Sequence, residues 1–233
     1  MSSKPPRRTR DRILELSLRL FNDFGEPNIT TSIISDELKI SPGNLYYHFR
    51  NKDDIVNSLF TQFHARISEM LTVPASRRPN MEDVWIYLHR MFELAWQYRF
   101  FYRDLSDLLS RNRNLELHFK KILEHEIEVA RRLCTGLREQ QELEAGDSEI
   151  EALATNMVVV ATYWLSYEYV RNPRRYTEQQ VMSDILARGC YQVLAVLAPW
   201  LRGQGAQAYR RLADEYLKSL ASPDASAATG AAA

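Results

Sequence analysis

Apolar residues recur three and four positions apart along almost the whole chain, the spacing of helix faces packed on a core. No stretch sustains the strict alternation of a half-buried strand. The first stripe, Ile13, Leu16, Leu20, Phe21 and Phe24, predicts a helix from Thr9 to Phe24 that Gly25 stops. Thr30 is placed to cap a short helix over Thr31–Leu38. After the turn Lys39-Ile40-Ser41, Ser41 and Pro42 supply the cap and first residue of another short helix, ending near Phe49. Asn51 caps a longer helix reaching about Leu71, and Asn80 one that ends near Tyr98. Helices follow over Tyr102–Leu109 and Leu115–Gln141. The capping boxes Ser148-x-x-Glu151 and Thr177-x-x-Gln180 open two more, ending near Val170 and Leu197. A last amphipathic helix, Ala206–Leu220, precedes an Ala/Ser/Gly tail expected to be disordered.

The pattern predicts an all-α chain. Residues 1–8 read as a flexible basic arm and 9–55 as a three-helix unit. Residues 56–220 read as a helical bundle and 221–233 as the tail.

Charge changes this picture only locally. The chain balances 30 basic against 30 acidic residues, so bulk charge does not point to nucleic acid. Residues 1–12, however, carry Lys4, Arg7, Arg8, Arg10 and Arg12 against Asp11 alone. Such an arm can reach phosphates or a minor groove, or can be a solvated tail. The longest apolar stretches, Met157–Leu165 and Val193–Leu201, are too short to span a bilayer, and no membrane partner is expected. Cys134 and Cys190 lack CxxC partners and read as buried residues of a cytoplasmic protein. No cofactor or metal is expected.

The informative chemistry lies in Thr30–Lys52. Two short helices joined by a tight turn and backed by a third form helix-turn-helix geometry, whose second helix enters the major groove. Ile34, Leu38, Ile40, Leu45 and Phe49 supply a small core. Thr31, Ser32, Gly43, Asn44, Tyr46, Tyr47 and His48 point outward, a set of donors, acceptors and ring faces. Asn44 can pair with adenine N6 and N7. Gly43 leaves space where backbone approaches DNA, Tyr46 and His48 can donate to phosphates, and Tyr47 can meet a thymine methyl or a phosphate. Lys52, with the free N–H groups of the next helix, can hold a phosphate. Each aromatic taken alone could equally pack on the first helix.

The run SPGNLYYHFRNKDDI resembles the signature of TetR-type regulators, S-x-x-x-L-Y-x-H-F-x-x-K-x-x-L. Ser41, Leu45, Tyr46, His48, Phe49, Lys52 and Ile55 match it. The likeness covers about residues 8–60. It implies phosphate contacts at Tyr46 and Lys52 and base-facing positions at Ser32, Gly43, Asn44 and Tyr47. Pro42, Asn44 and Lys39 depart from the common pattern, Lys39 standing where glycine is usual, which bears on the operator sequence. The implied partner is double-stranded operator DNA, bound by a cytoplasmic homodimeric repressor that is no enzyme.

The resemblance also implies a C-terminal domain that dimerises and holds a small, largely apolar effector. His89, Phe92, Trp96, His118, Asn156 and Trp164 are the candidate lining residues. From the residues alone, an aromatic stripe at this spacing reads as core. The expected dimer surface lies in about residues 148–200, with Val181, Ile185, Gly189, Val193, Val196 and Leu197 presented to the partner. A monomer could bury the same face internally. Two alternatives stand beside this reading. One is a regulator without a small-molecule effector. The other is a helical enzyme, for which no catalytic or metal pattern is visible. His125, among Glu124, Glu126 and Glu128, reads as an ordinary exposed residue.

Overall fold

The computed structural model describes residues 6–70, 78–174, 176 and 182–221. Eleven α-helices and two 3-10 turns form the described part, and the predicted all-α class holds. Expectations about residues 1–5, the Thr177–Gln180 box, Val181 and the tail from 222 lie outside the described residues.

The N-terminal unit follows its capping chemistry. Helix α1 spans Pro6–Phe24, beginning three residues before the expected Thr9, with a proline at a position where a missing N–H costs nothing. A 3-10 turn, Glu26–Asn28, leads to α2, Thr31–Leu38, where Thr30 Oγ1 accepts from the Ile33 N–H at 3.3 Å. Lys39 ends α2 in the left-handed region, φ 54°, explaining why glycine is the commoner residue in this turn. Helix α3, Pro42–His48, starts as Ser41 Oγ accepts from the Asn44 N–H at 3.2 Å. Asn51 Oδ1 accepts from the Asp54 N–H at 2.8 Å and opens α4, Lys52–Met70. Ile13, Leu20, Phe21, Ile34, Leu45 and Ile55 close the core of this unit. Phe24, expected on the buried face of α1, is instead 61% exposed.

The bundle is built from α5 (Met81–Gln97), α6 (Arg99–Arg103), α7 (Leu105–Arg111), α8 (Arg113–Glu139), α9 (Asp147–Arg171), α10 (Met182–Leu197) and α11 (Gly203–Ala221). The single helix expected over Tyr102–Leu109 is two, broken at Asp104. A capping box formed by Asn80 and Asp83 fixes the start of α5. The box expected at Ser148 does not form. Helix α9 begins at Asp147 after Gly146, without a side-chain cap. Helix α9 packs between α8 and α10, and α10 lies against α5. Phe63, Phe92, Phe100, Phe101 and Phe119 are fully buried along this seam. Helix α4 joins the two parts: it starts beside α3 and carries Phe60, Phe63 and Ile67 into the bundle core.

Candidate DNA-reading face and its link to the bundle

Because α3 buries only Leu45, its remaining side chains project from the fold. Gly43, Asn44, Tyr46 and Tyr47 are exposed, Tyr47 at 80%, while His48 is half-buried against the Tyr47 ring. From α2, Ser32 joins this surface and Thr31 sits at its edge, its hydroxyl 3.3 Å from Tyr46 Oη. That contact ties the two helices together on their outer side. A Cβ on Gly43 would meet nothing closer than Ser41 Oγ at 4.0 Å. Packing therefore does not require glycine there. Seven of the eight expected DNA-facing residues share one surface.

Lys52 does not stand free for a phosphate. Its ammonium donates to the Glu26 carbonyl at 2.9 Å and lies 3.0 Å from Glu26 Oε1. The Glu26 carboxylate has no exposure, and Arg111 of α7 pairs with its other oxygen. Burying a carboxylate without such partners is costly, and this pairing draws Lys52 inward.

Around Glu26 runs a contact zone that the sequence did not reveal. Asn22 Nδ2 donates to the Gln97 carbonyl at 2.9 Å, and its Oδ1 accepts from the Phe100 N–H at 3.1 Å. Arg103 donates to the carbonyls of Phe21, at 2.8 Å, and Asn22, at 3.2 Å. Arg99 pairs with Asp23 at 2.8 Å. Arg103 also lies over the ring of Tyr169 in α9, 5.2 Å from its centre. The end of α1 is thereby fastened to α6, α7 and, through Arg103, α9. Arg99, Arg103 and Arg111 lie on short helices without a motif of their own.

Of the six residues expected to line an effector pocket, only Phe92 and Trp164 come together, both against Gly189. Phe92 and Trp164 pack on each other's side of Gly189, and Trp164 Nε1 donates to the Ile185 carbonyl at 2.8 Å. His89 stacks on Trp85 in a separate groove against α10 and α11. Trp96 lies beside Tyr176 and under Arg99. His118 sits near the α4–α8 contact, its ring 5.8 Å from that of His64. Asn156 is exposed on the outer side of α9. A different, partly open recess lies between Tyr87, Leu88 and Met91 of α5, Glu126 and Ala130 of α8, and Met157, Val158 and Ala161 of α9. Burial raises the Glu126 carboxyl to about 8. It also raises the hydroxyls of Tyr87 and Tyr102 well above 10, the nearby Glu126 adding to it.

The expected partner-facing side of α10 is also corrected. Ile185, Gly189, Val193 and Leu197 are buried within the protomer, and a Cβ on Gly189 would come within 2.7 Å of Phe92 and Trp164. The apolar side that is left uncovered belongs to α9: Val159, Tyr163, Tyr167 and Val170, each more than half exposed. Their spacing of four, four and three places them along one stripe. Cys134 and Cys190 are buried as expected, their thiols pushed up to about 12.

Known proteins carry the same architecture. The family model described as "Bacterial regulatory proteins, tetR family" matches residues 13–59, and that described as "Bacterial transcriptional repressor" matches residues 62–209. A TetR-family transcriptional regulator from Marinobacter aquaeolei VT8 superposes with a TM-score of 0.79 at 34% identity, over 89% of this chain and 98% of that one. A putative transcriptional regulator from Saccharomonospora viridis, solved in complex with choline, shares the fold at 17% identity and a TM-score of 0.57, over 77% of this chain and 94% of that one. An HTH-type transcriptional regulator of Staphylococcus aureus is 39% identical over 62 residues, 23% of this chain and 34% of its own length. The chain thus spans about a third of that curated relative. With both halves matched by family models and a helix-turn-helix on the surface, the chain belongs to the TetR family of bacterial transcriptional regulators.

Proposed function

We propose that the chain is a homodimeric repressor that reads an inverted-repeat operator with α3 and leaves it when a small, largely apolar ligand enters the bundle. The observation that carries the DNA reading is the uncovered face of Gly43, Asn44, Tyr46 and Tyr47, with Thr31, Ser32 and His48 around it. Asn44 and Tyr47 are the base readers, and Tyr46 and His48 donate to phosphates. The Glu26 pairing withholds Lys52 from this set in the free protein. Two-fold pairing through the α9 stripe sets two such faces on one side of DNA, which makes the operator palindromic. We take the recess beside Glu126 as the effector site; a fold neighbour solved in complex with choline supports a small-molecule effector in this architecture.

Selection of bound duplexes from a random pool by the full chain tests the reading. An enriched inverted repeat, protected as two adjacent turns, is the expected result. Enrichment of a lone half-site, or of nothing, overturns it. A fragment screen against the complex tests the release step. A set in which no fragment weakens operator binding favours a regulator without a small-molecule effector.

A further inference from the structure

Four acidic side chains are buried among the described residues, Glu26, Glu126, Glu142 and Glu168; Glu142 sits in the turn after α8, the other three are set in the helical packing, and two of these have cations beside them. Glu26 holds Lys52 and Arg111, and Glu168 holds Arg188 at 2.9 Å and Arg171 at 3.4 Å. Glu126 is 5% exposed and has neither an ion pair nor a hydrogen bond from any described side chain. Its surroundings are Tyr87, Met91, Met157, Val158, Ala130 and Ala161, with Tyr102 close enough to feel its charge. An unpaired carboxyl in such a place is costly, and a glutamine or leucine would pack with less penalty. Groups kept at that cost are concentrated at functional sites.

The recess tells which partner the carboxylate lacks. Its free space is only about 10 Å³, room for at most one water, so solvent reaches the carboxyl only at the mouth of the recess. A single carboxylate among thioethers and methyl groups offers too few hard donors for Ca²⁺ or Mg²⁺. Aromatic faces and polarisable sulfur atoms do suit an organic cation, whose charge the carboxylate neutralises and whose methylene surface the walls cover. Met91 and Met157, unbranched and adaptable, are the walls able to yield as the recess opens, and the small side chains of Ala130 and Ala161 leave room beside them.

We infer that Glu126 is the recognition residue for a positively charged effector, an apolar amine or quaternary ammonium, bound between α5, α8 and α9. This inference rests on the effector reading given above and adds the charge of the ligand. The incoming cation supplies the counter-charge against which Glu126 releases the proton it holds in the free protein, so binding strength depends on the carboxyl group and not on apolar contact alone.

Calorimetry of the full chain with three probes of one shape tests this: cyclohexylammonium, cyclohexanol and cyclohexanecarboxylate. In the wild type the ammonium binds at least tenfold more tightly than the alcohol, and the carboxylate does not bind. Glu126→Gln reduces that preference to less than threefold, with helical content and dimer mass unchanged. The wild-type comparison stands even if the variant fails to fold. Equal or tighter binding of the alcohol, or an unchanged preference in Glu126→Gln, overturns the inference and leaves a neutral-effector reading intact. If none of the three binds, the inference is overturned. If a wider set of charged and neutral fragments also fails, the effector reading falls with it.

Discussion

Arg111 of α7 and Glu26 of the turn after α1 meet in an ion pair that crosses from the bundle into the DNA-binding unit. Lys52 completes the arrangement from the start of α4. Three elements, the turn after α1, the start of α4 and α7, therefore share one buried carboxylate.

Arg111→Met is expected to destabilise the protein by about 1–2 kcal/mol. Breaking a fully buried pair costs about 3–5 kcal/mol, but Lys52 remains, and Arg111 is about a third exposed. Urea denaturation gives the measurement. In a double-mutant cycle with Glu26→Gln, the two losses should not add, because each removes the same contact. Strict additivity would show that the pair contributes nothing.

Asn44→Ala should weaken operator binding by about 1–3 kcal/mol and relax preference at one base pair, while non-operator binding stays as it was. Gly43→Leu is the sterner case. Its Cβ meets open space, so the unfolding midpoint should not fall, yet the added side chain occupies the volume that DNA needs. Anisotropy titrations with operator duplex and a thermal melt separate the two effects. A Gly43→Leu protein with wild-type operator affinity would remove α3 from the groove.

Dimerisation can be tested on the stripe of α9. Val159→Arg combined with Tyr163→Arg places two charges on exposed positions, so the fold should survive while sedimentation shows monomers and operator affinity drops. Gly189 gives the contrasting result. Any side chain there strikes Phe92 and Trp164 within the protomer, so Gly189→Arg should unfold the bundle before it alters assembly. A stable dimer of the double-arginine variant would move the interface off this stripe.

Glu126 predicts a pH dependence whose sign is fixed. Its carboxyl sits at about 8 in the folded protein, against about 4.3 in an unfolded chain. The folded state holds the proton more firmly. The stabilisation that this gives is complete below about pH 4 and is lost as the pH climbs through about 8. Tyr87 of α5 and Tyr102 of α6, the titratable groups beside it, stay neutral over this range, and α9 presents only Met157, Val158 and Ala161. Glu126→Gln should therefore melt higher than wild type at pH 8.5, with the difference shrinking toward pH 5. A difference that does not change with pH would mean that Glu126 is already ionised in the folded protein.

How far the sequence could be read depended on whether a side chain acts locally. Thr30, Ser41, Asn51 and Asn80 cap their helices as expected because a cap involves only the next three residues. The outward set on α3 was equally visible, since a seven-residue helix with one buried leucine leaves little choice. The α10 surface was misassigned because Ile185, Gly189 and Val193 form a seam that serves either a partner or the chain's own α5 and α9, and periodicity does not distinguish them. Asn156 was placed inward beside Met157, though one residue is 100° of helix and turns it outward. Glu126 was hidden in the charged run Glu124–Glu128, which reads as a wet face. The signal was there in the spacing: Phe119, Ile122, Glu126, Val129 and Leu133 share one side of α8. Glu26 and its cations join distant segments, a relationship no local pattern encodes.

The last carbonyls of α1 have a consequence for folding. A helix leaves its final carbonyl groups without intrahelical partners; here the Phe24 carbonyl accepts from Asn28 Nδ2 and that of Phe21 from the Gly25 N–H, while Arg103, some eighty residues later in the chain, adds a second donor to Phe21 and a donor to Asn22. The helix-turn-helix unit is thus finished by a side chain it does not contain. A fragment cut after α4 loses the donor to Asn22, so the end of α1 should be less stable there, and grafting this unit onto a relative's bundle should hold best where that bundle brings an arginine of its own to the same carbonyls. Modularity, in this protein, stops at the end of its first helix.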